Sequence, residues 1–518
     1  MPTVTPQVLT RTVQDFLSEA AGAIVLENGV VAFDLAQSKY SISGESNRCL
    51  LHLWSAERNS VRRVLEAEVK NGTLRLAVQR LGQARPSKLE ICRERDRRSP
   101  SARRVARTAY EQKLRQTLDR HFPEFKVTRL TTSVDLEKSF GPVYARGLMR
   151  HGRSVFALLG VNAQETQSSI DAALSFGILW LDFCRQAQAP NVLVEGLKLF
   201  VPNGTSALVR ERMANLNHNV AKWSLFELNE RHDALLEIDC ADRGNVSTRL
   251  VHAADDVAAR ARFEESITRV RGILPNCEVA VLSAAEIVFR WRGLEFARAR
   301  LGTSGSLRST QEIVFGVGAE ERILEASNES KFTELAQRLR EVRHPYGPRQ
   351  HPLWRLRPER WMESLVVGDV SVVDGRLDPS WQYSQIPAFS ASDRAMIDVL
   401  TATHAGRLAL VELKADEDIH LPLQGLDYWS RVEWHHSRGE FTRFGYFGGT
   451  ELSLDKPLLF LVAPALHVHP TTDTLLRYLS PEIEWQFVGL DERWREGAKV
   501  VFRKRPPAKQ SLYPVVVA

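Results

Sequence analysis

Two short apolar runs separated by a tight turn constrain this chain more than any other feature. Residues 395–403 (AMIDVLTAT) and 407–414 (RLALVELK) flank the turn His404-Ala-Gly406. Strand-forming residues on both sides of a glycine-closed turn predict an antiparallel hairpin. A hairpin sets the register, and the register decides which side chains share a face. Centred on Ala405, paired positions have numbers that sum to 810, so Asp398 falls opposite Glu412. Cβ atoms of such opposed residues lie roughly 4.5–5.5 Å apart.

Two carboxylates that close repel each other. Asp398 also sits in an otherwise apolar strand, where an uncompensated charge is costly. A divalent cation between them removes both objections. Lys414 lies two residues beyond Glu412 and shares its face, while Leu413 points away but offers its backbone carbonyl. Hard oxygen donors beside an ammonium suit Mg²⁺ or Mn²⁺. Such an ion activates a bound water and stabilises charge on a phosphoryl oxygen. The bland alternative is a surface hairpin with a Glu412–Lys414 salt bridge.

The flanks add order to the pattern. Upstream, residues 357–365 (RPERWMESL) predict a helix with Glu359 and Glu363 one turn apart on one face. Downstream, 421–436 predicts a second helix carrying Gln424 and Tyr428 at i and i+4, and 457–463 (PLLFLVA) predicts a buried strand. Taken together, residues 349–490 resemble the PD-(D/E)XK nuclease superfamily. Asp398 and Glu412-Leu-Lys414 stand for its central motif, with Ile397 where the name-giving proline would be. Gln424-Gly-Leu-Asp-Tyr428 resembles the Q-x-x-x-Y signature of the RecB-like branch. The resemblance implies a C-terminal restriction-endonuclease-like αβββαβ core. It also implies metal ligation by Asp398, Glu412 and the Leu413 carbonyl, water positioning by Lys414, and support from Glu363, Gln424 and Tyr428.

The chain has 518 residues, enough for three or four domains. We expect an α/β multidomain protein with boundaries at 1–125 (β-rich with a basic arm), 126–255 (mixed α/β), 256–348 (α/β connecting) and 349–518 (nuclease-like). The Pro-rich stretch 344–352 marks the last boundary. Within the first domain, 56–70 has apolar positions at helical spacing and predicts a helix. In the second, Glu195 and Lys198 face opposite sides if extended and cannot share a metal, which leaves at most a decayed nuclease-like fold.

The 69 basic and 63 acidic residues leave only +6, too little to prove a polyanionic partner. Distribution says more: 93–107 holds seven arginines against Glu94 and Asp96. Arginine's planar donors suit phosphate, so Arg97, Arg98, Arg103, Arg104 and Arg107 are expected to contact nucleic acid. A solvated loop is the alternative. Five scattered cysteines predict buried, reduced thiols, and the absence of an apolar span predicts no membrane partner and a cytoplasmic protein.

These readings predict a metal-dependent endonuclease that hydrolyses phosphodiester bonds of DNA, in repair, restriction or defence. The alternatives are a non-catalytic nucleic-acid-binding or assembly protein with a nuclease-like domain, and a ribonuclease. A homodimer is compatible with cutting both strands, although no residue demands one.

Overall fold

The structure is a computed structural model. It describes residues 5–506 except 19, 21–22, 28–29, 36–37, 45–47, 55–58, 71–72, 81–85, 93–99, 136–139, 188–191, 231, 242–247, 303–309, 319 and 391–392. The protein is a mixed α/β chain whose described residues build four sheets, lying within 24–92, 126–238, 278–323 and 377–504. Two compact units divide it: Met1–Ala207 with Trp223–Ile238, and Leu208–Lys222 with Asp239–Ala518. Among the described residues no helix is long and apolar enough to cross a membrane. All five cysteines are buried and lie outside any disulfide.

In the first sheet, seven strands pack one face on the helix Pro6–Ser18, through Leu9, Val13, Phe16 and Leu17. The expected helix at 56–70 is instead the strand Asn59–Lys70. Its pairing with Thr73–Arg80 shifts between Val64 and Glu66, so Leu65 is an extra residue. A bulge flips the inward parity of a strand, and a period of two with one such flip imitates helical spacing. The arginine-rich run leads into a basic helix that spans Pro100–His121.

The second and fourth sheets share one order of elements. In the first unit, the helix Pro100–His121 precedes three antiparallel strands, Lys126–Thr131, Tyr144–His151 and Ser154–Val161. The helix Ala173–Ala187 then leads to Leu193–Pro202, parallel to its neighbour. In the second unit, the helix Pro358–Gly368 precedes Leu377–Ser390, Asp393–Thr403 and Leu408–Leu413. There the helix Leu421–His436 leads to the parallel strand Leu458–Pro464.

Packing repeats with the topology. Both second helices press a glycine onto a leucine of the parallel strand. A Cβ would lie 2.7 Å from Leu197 at Gly177 and 2.5 Å from Leu461 at Gly425. The hairpins differ in chemistry. Arg146, opposite Leu159, stands as far before its closing pair His151–Ser154 as Asp398 stands before Thr403 and Arg407. At these two positions the hairpin of the first unit therefore has no carboxylate pair. Its Lys198 lies against the rings of Phe122, Phe125, Phe156 and Phe226, while Glu195 accepts a hydrogen bond from Ser154.

The Pro-rich stretch 344–352 interrupts regular structure, yet it is no loose linker. Arg343, just before it, is fully buried. Its guanidinium donates to the carbonyls of Arg292 at 3.0 Å, Leu353 at 2.8 Å and Leu356 at 2.7 Å. The third sheet and the helix Pro358–Gly368 thus belong to one packed body within the second unit.

Candidate active site

The hairpin Asp393–Thr403 to Leu408–Leu413 has the expected register: Val399 pairs with Val411, Leu400 with Leu410 and Thr401 with Ala409. Gly406 closes the turn at φ +76°, and a Cβ there would lie 2.2 Å from the Glu451 carbonyl oxygen, so only glycine fits. Past Val399 a side chain takes over from the backbone. Asp398 Oδ2 accepts from the Leu413 N–H at 3.0 Å. Glu412, on the same row as Asp398, is 1% exposed. Its Oε1 accepts from Lys414 Nζ at 3.3 Å, and its Oε2 is buried without a hydrogen-bond partner among the described residues.

The helix acid joins this row through an intermediary. Glu363 is buried, and its Oε2 accepts from Arg360 at 2.7 Å and from Gln385 Nε2 at 2.7 Å. Gln385 also reaches Asp398 Oδ1 at 3.5 Å. Glu359, the other helix acid, is exposed. On the next helix Gln424 donates to Tyr428 at 3.3 Å, and Tyr428 is close enough for Glu412 to act on its phenol. The structure therefore gathers Asp398, Glu412, Leu413, Lys414 and Glu363, with Tyr428 and Gln424 alongside.

Burial dominates the electrostatics. It pushes Glu412 well above the ordinary carboxylate range, with Asp398 adding repulsion and Lys414 opposing both. Burial likewise raises Asp398 to about 6 against the Leu413 N–H and Lys414. Glu363 rises to about 8, with Arg360 opposing. For Lys414 burial favours the neutral amine, but Glu412, Glu359 and Asp398 together outweigh it and raise its pKa. Three acids that resist ionisation thus share the site with the Lys414 ammonium and with Arg360, which pairs with Glu363.

Glu412 Oε2 is left for a cation, and Asp398 Oδ1, 3.5 Å from the Gln385 amide, is the oxygen of that carboxylate not held by the Leu413 N–H. Among the described residues no group of three or more His, Cys, Asp or Glu converges as a metal cluster. An orphaned buried carboxylate oxygen fits a cation, because leaving it bare is costly.

These shifts predict a pH dependence. Glu363 has a folded pKa above its ordinary 4.5, so its contribution is fully present below about pH 4.5 and is lost as pH rises toward about 8. Asp398 and Glu412 act in the same direction. In EDTA, urea midpoints should therefore fall between about pH 5 and 8. Glu363→Gln should reduce that loss across the range by on the order of a few kcal/mol. An equal slope in the variant would contradict this account.

The arginines expected to touch nucleic acid divide. Arg97 and Arg98 lie outside the described residues. Arg104 is exposed on the basic helix and Arg103 is half-buried there. Arg107 instead forms a largely buried, two-pronged pair with Glu165, Nε to Oε1 at 2.6 Å. Gln385 and Arg360 carry no signal in the sequence. Pro379 and Pro387 mask the strand Leu377–Ser390, although proline is compatible with its position at the sheet edge. No family model, curated protein or solved structure matches this chain.

Proposed function

We propose that the second unit is a metal-dependent nuclease that hydrolyses phosphodiester bonds of DNA, on a restriction-endonuclease-like core. One observation carries this reading: Asp398, Glu412 and Lys414 meet on adjacent strands, with a buried carboxylate oxygen that no described residue satisfies. The order helix, three antiparallel strands, helix, parallel strand supports it. Asp398, Glu412 and the Leu413 carbonyl would hold Mg²⁺ or Mn²⁺. When bound, the ion supplies Lewis-acid stabilisation of phosphoryl charge and an activated water. Lys414, kept protonated by its acidic neighbours, orients that water and offsets phosphate charge. The phenol of Tyr428 stays protonated and can donate to a phosphate oxygen, braced by Gln424.

The test is cleavage of single-stranded, double-stranded and branched DNA, and of RNA, with Mg²⁺ or Mn²⁺. Asp398→Ala and Lys414→Ala should each abolish cutting while circular dichroism stays unchanged. Activity that survives both would overturn the site assignment. Binding without cutting on every substrate would favour a purely nucleic-acid-binding protein.

We further propose that the basic arm contacts phosphates. Replacing Arg97, Arg98, Arg103 and Arg104 by serine should flatten the salt dependence of DNA binding by about 0.9 in log–log slope for each phosphate no longer neutralised. Arg107→Ala should leave the slope unchanged and lower thermal stability instead, because Arg107 is paired with Glu165. Equal slopes for the quadruple variant and the unmodified chain would return the arm to a solvated surface.

A further inference from the structure

Gln385 occupies an unusual place on the edge strand Leu377–Ser390. Pairing with Asp393–Thr403 runs in one register on both sides of it: Ser384 faces Val399 and Ile386 faces Ile397. That register puts Gln385 opposite Asp398, just as the next hairpin puts Asp398 opposite Glu412. Yet Gln385 has φ +58°, a left-handed backbone that a residue with a side chain adopts only at a cost. The distortion is confined to this one residue, and the ladder resumes without a slip. Such isolated strain persists where surrounding contacts over-determine it.

Those contacts are with the acids. The Gln385 side chain is 93% buried and its one amide nitrogen reaches Glu363 Oε2 at 2.7 Å and Asp398 Oδ1 at 3.5 Å. An amide nitrogen carries two hydrogens, one for each carboxylate. It adds no charge, so it holds the acids in place without competing with a cation as a lysine or arginine would.

We propose that Gln385 is a positioning residue for the metal site: its amide ties Asp398 to the helix acid Glu363 and orients the Asp398 carboxylate toward the ion. This rests on the nuclease reading above. Two variants test it. Gln385→Gly removes the amide and accepts the left-handed backbone, so it spares the fold the strain. Gln385→Asn also tolerates that backbone but is one methylene too short to span both acids.

The readouts are Mn²⁺ titration calorimetry on the metal-free full chain, thermal melting in EDTA, and cleavage as a function of Mn²⁺. Both variants should weaken Mn²⁺ binding at least tenfold, and Gln385→Gly should melt no lower than the unmodified chain. Their cleavage should require at least tenfold more Mn²⁺, with kcat at saturating metal within a few-fold of the unmodified chain. Unaltered Mn²⁺ affinity in a folded variant overturns the role of Gln385 while the nuclease reading stands. Failure of both variants to fold also overturns it, because Gln385 would then be needed for folding. If the unmodified chain neither binds Mn²⁺ nor cuts, the nuclease reading fails and takes this inference with it.

Discussion

Replacing Glu412 by glutamine is expected to lower cleavage by about 10³-fold or more while raising the stability of the metal-free protein at pH 8. On the nuclease reading proposed above, the first effect follows from losing a charged metal ligand, since about 4 kcal/mol of transition-state stabilisation corresponds to about 10³ in rate. The second follows from burial. Glu412 is 1% exposed, and its ionisation is opposed by its surroundings and by Asp398. Glutamine keeps an oxygen for the Lys414 ammonium and removes the charge. The gain should be largest at high pH and shrink as pH falls, since acid favours the neutral carboxyl that burial already prefers. Mn²⁺ should raise the melting temperature of the unmodified chain and not that of the variant, because only a folded state that binds the ion is stabilised by it. Lys414→Met should differ in sign, losing activity and stability together, since it strands Glu412 without its partner. Urea denaturation with and without Mn²⁺, beside a cleavage assay, reads all of these. A Glu412→Gln protein that is less stable at pH 8 would show that the carboxylate is not strained by burial.

The hairpin is legible in the sequence because its information is local. A glycine-closed turn and a period of two determine which side chains oppose one another, and Asp398, Glu412 and Lys414 follow from counting. Glu363 is legible for a related reason: helical spacing offers only Glu359 and Glu363, and the buried one is Glu363. Gln385 is hidden because its role depends on a left-handed backbone in a strand that two prolines disguise, and nothing in residue type announces φ +58°. The strand Asn59–Lys70 imitates a helix because Leu65 interrupts its alternation. The shared topology of the second and fourth sheets is obscured for a different reason. Arg146 and Leu159 stand at the places corresponding to Asp398 and Glu412, so the order of elements is shared without the residue pattern that would draw notice to it. Arg107 looks like part of a phosphate-binding run, whereas its partner Glu165 lies far along the chain and can be matched to it only through the fold.

The largest expected loss of stability comes from Arg343→Met. Arg343 has no measurable exposure and forms no salt bridge among the described residues; backbone oxygens take its hydrogen bonds. Nε is shared between the carbonyls of Trp291 and Arg292, both at 3.2 Å, and Nη1 between those of Leu353 and Leu356. The guanidinium carbon lies 4.9 Å from the centroid of the Trp361 ring, on the helix that carries Glu363. Burial, with the charge of Arg495 nearby, lowers its pKa to about 10, so it remains charged at neutral pH. Methionine fills much of the volume but leaves those carbonyls without donors in a dry interior. The expected cost is about 3–5 kcal/mol in urea denaturation. Lysine keeps the charge but concentrates its donors at one point, so it cannot bridge Arg292 and Leu356 together; Arg343→Lys should cost roughly half as much. Arg340→Met, at an exposed site on the helix Glu329–Val342 that ends just before Arg343, should change stability by no more than about 0.5 kcal/mol and serves as the control. Because Arg343 ties the strand Glu286–Trp291 to the turn that launches Pro358–Gly368, its loss should also loosen the placement of Glu363. If Arg343→Met matched the control, the packed junction would contribute nothing, and the Pro-rich stretch would be a linker after all.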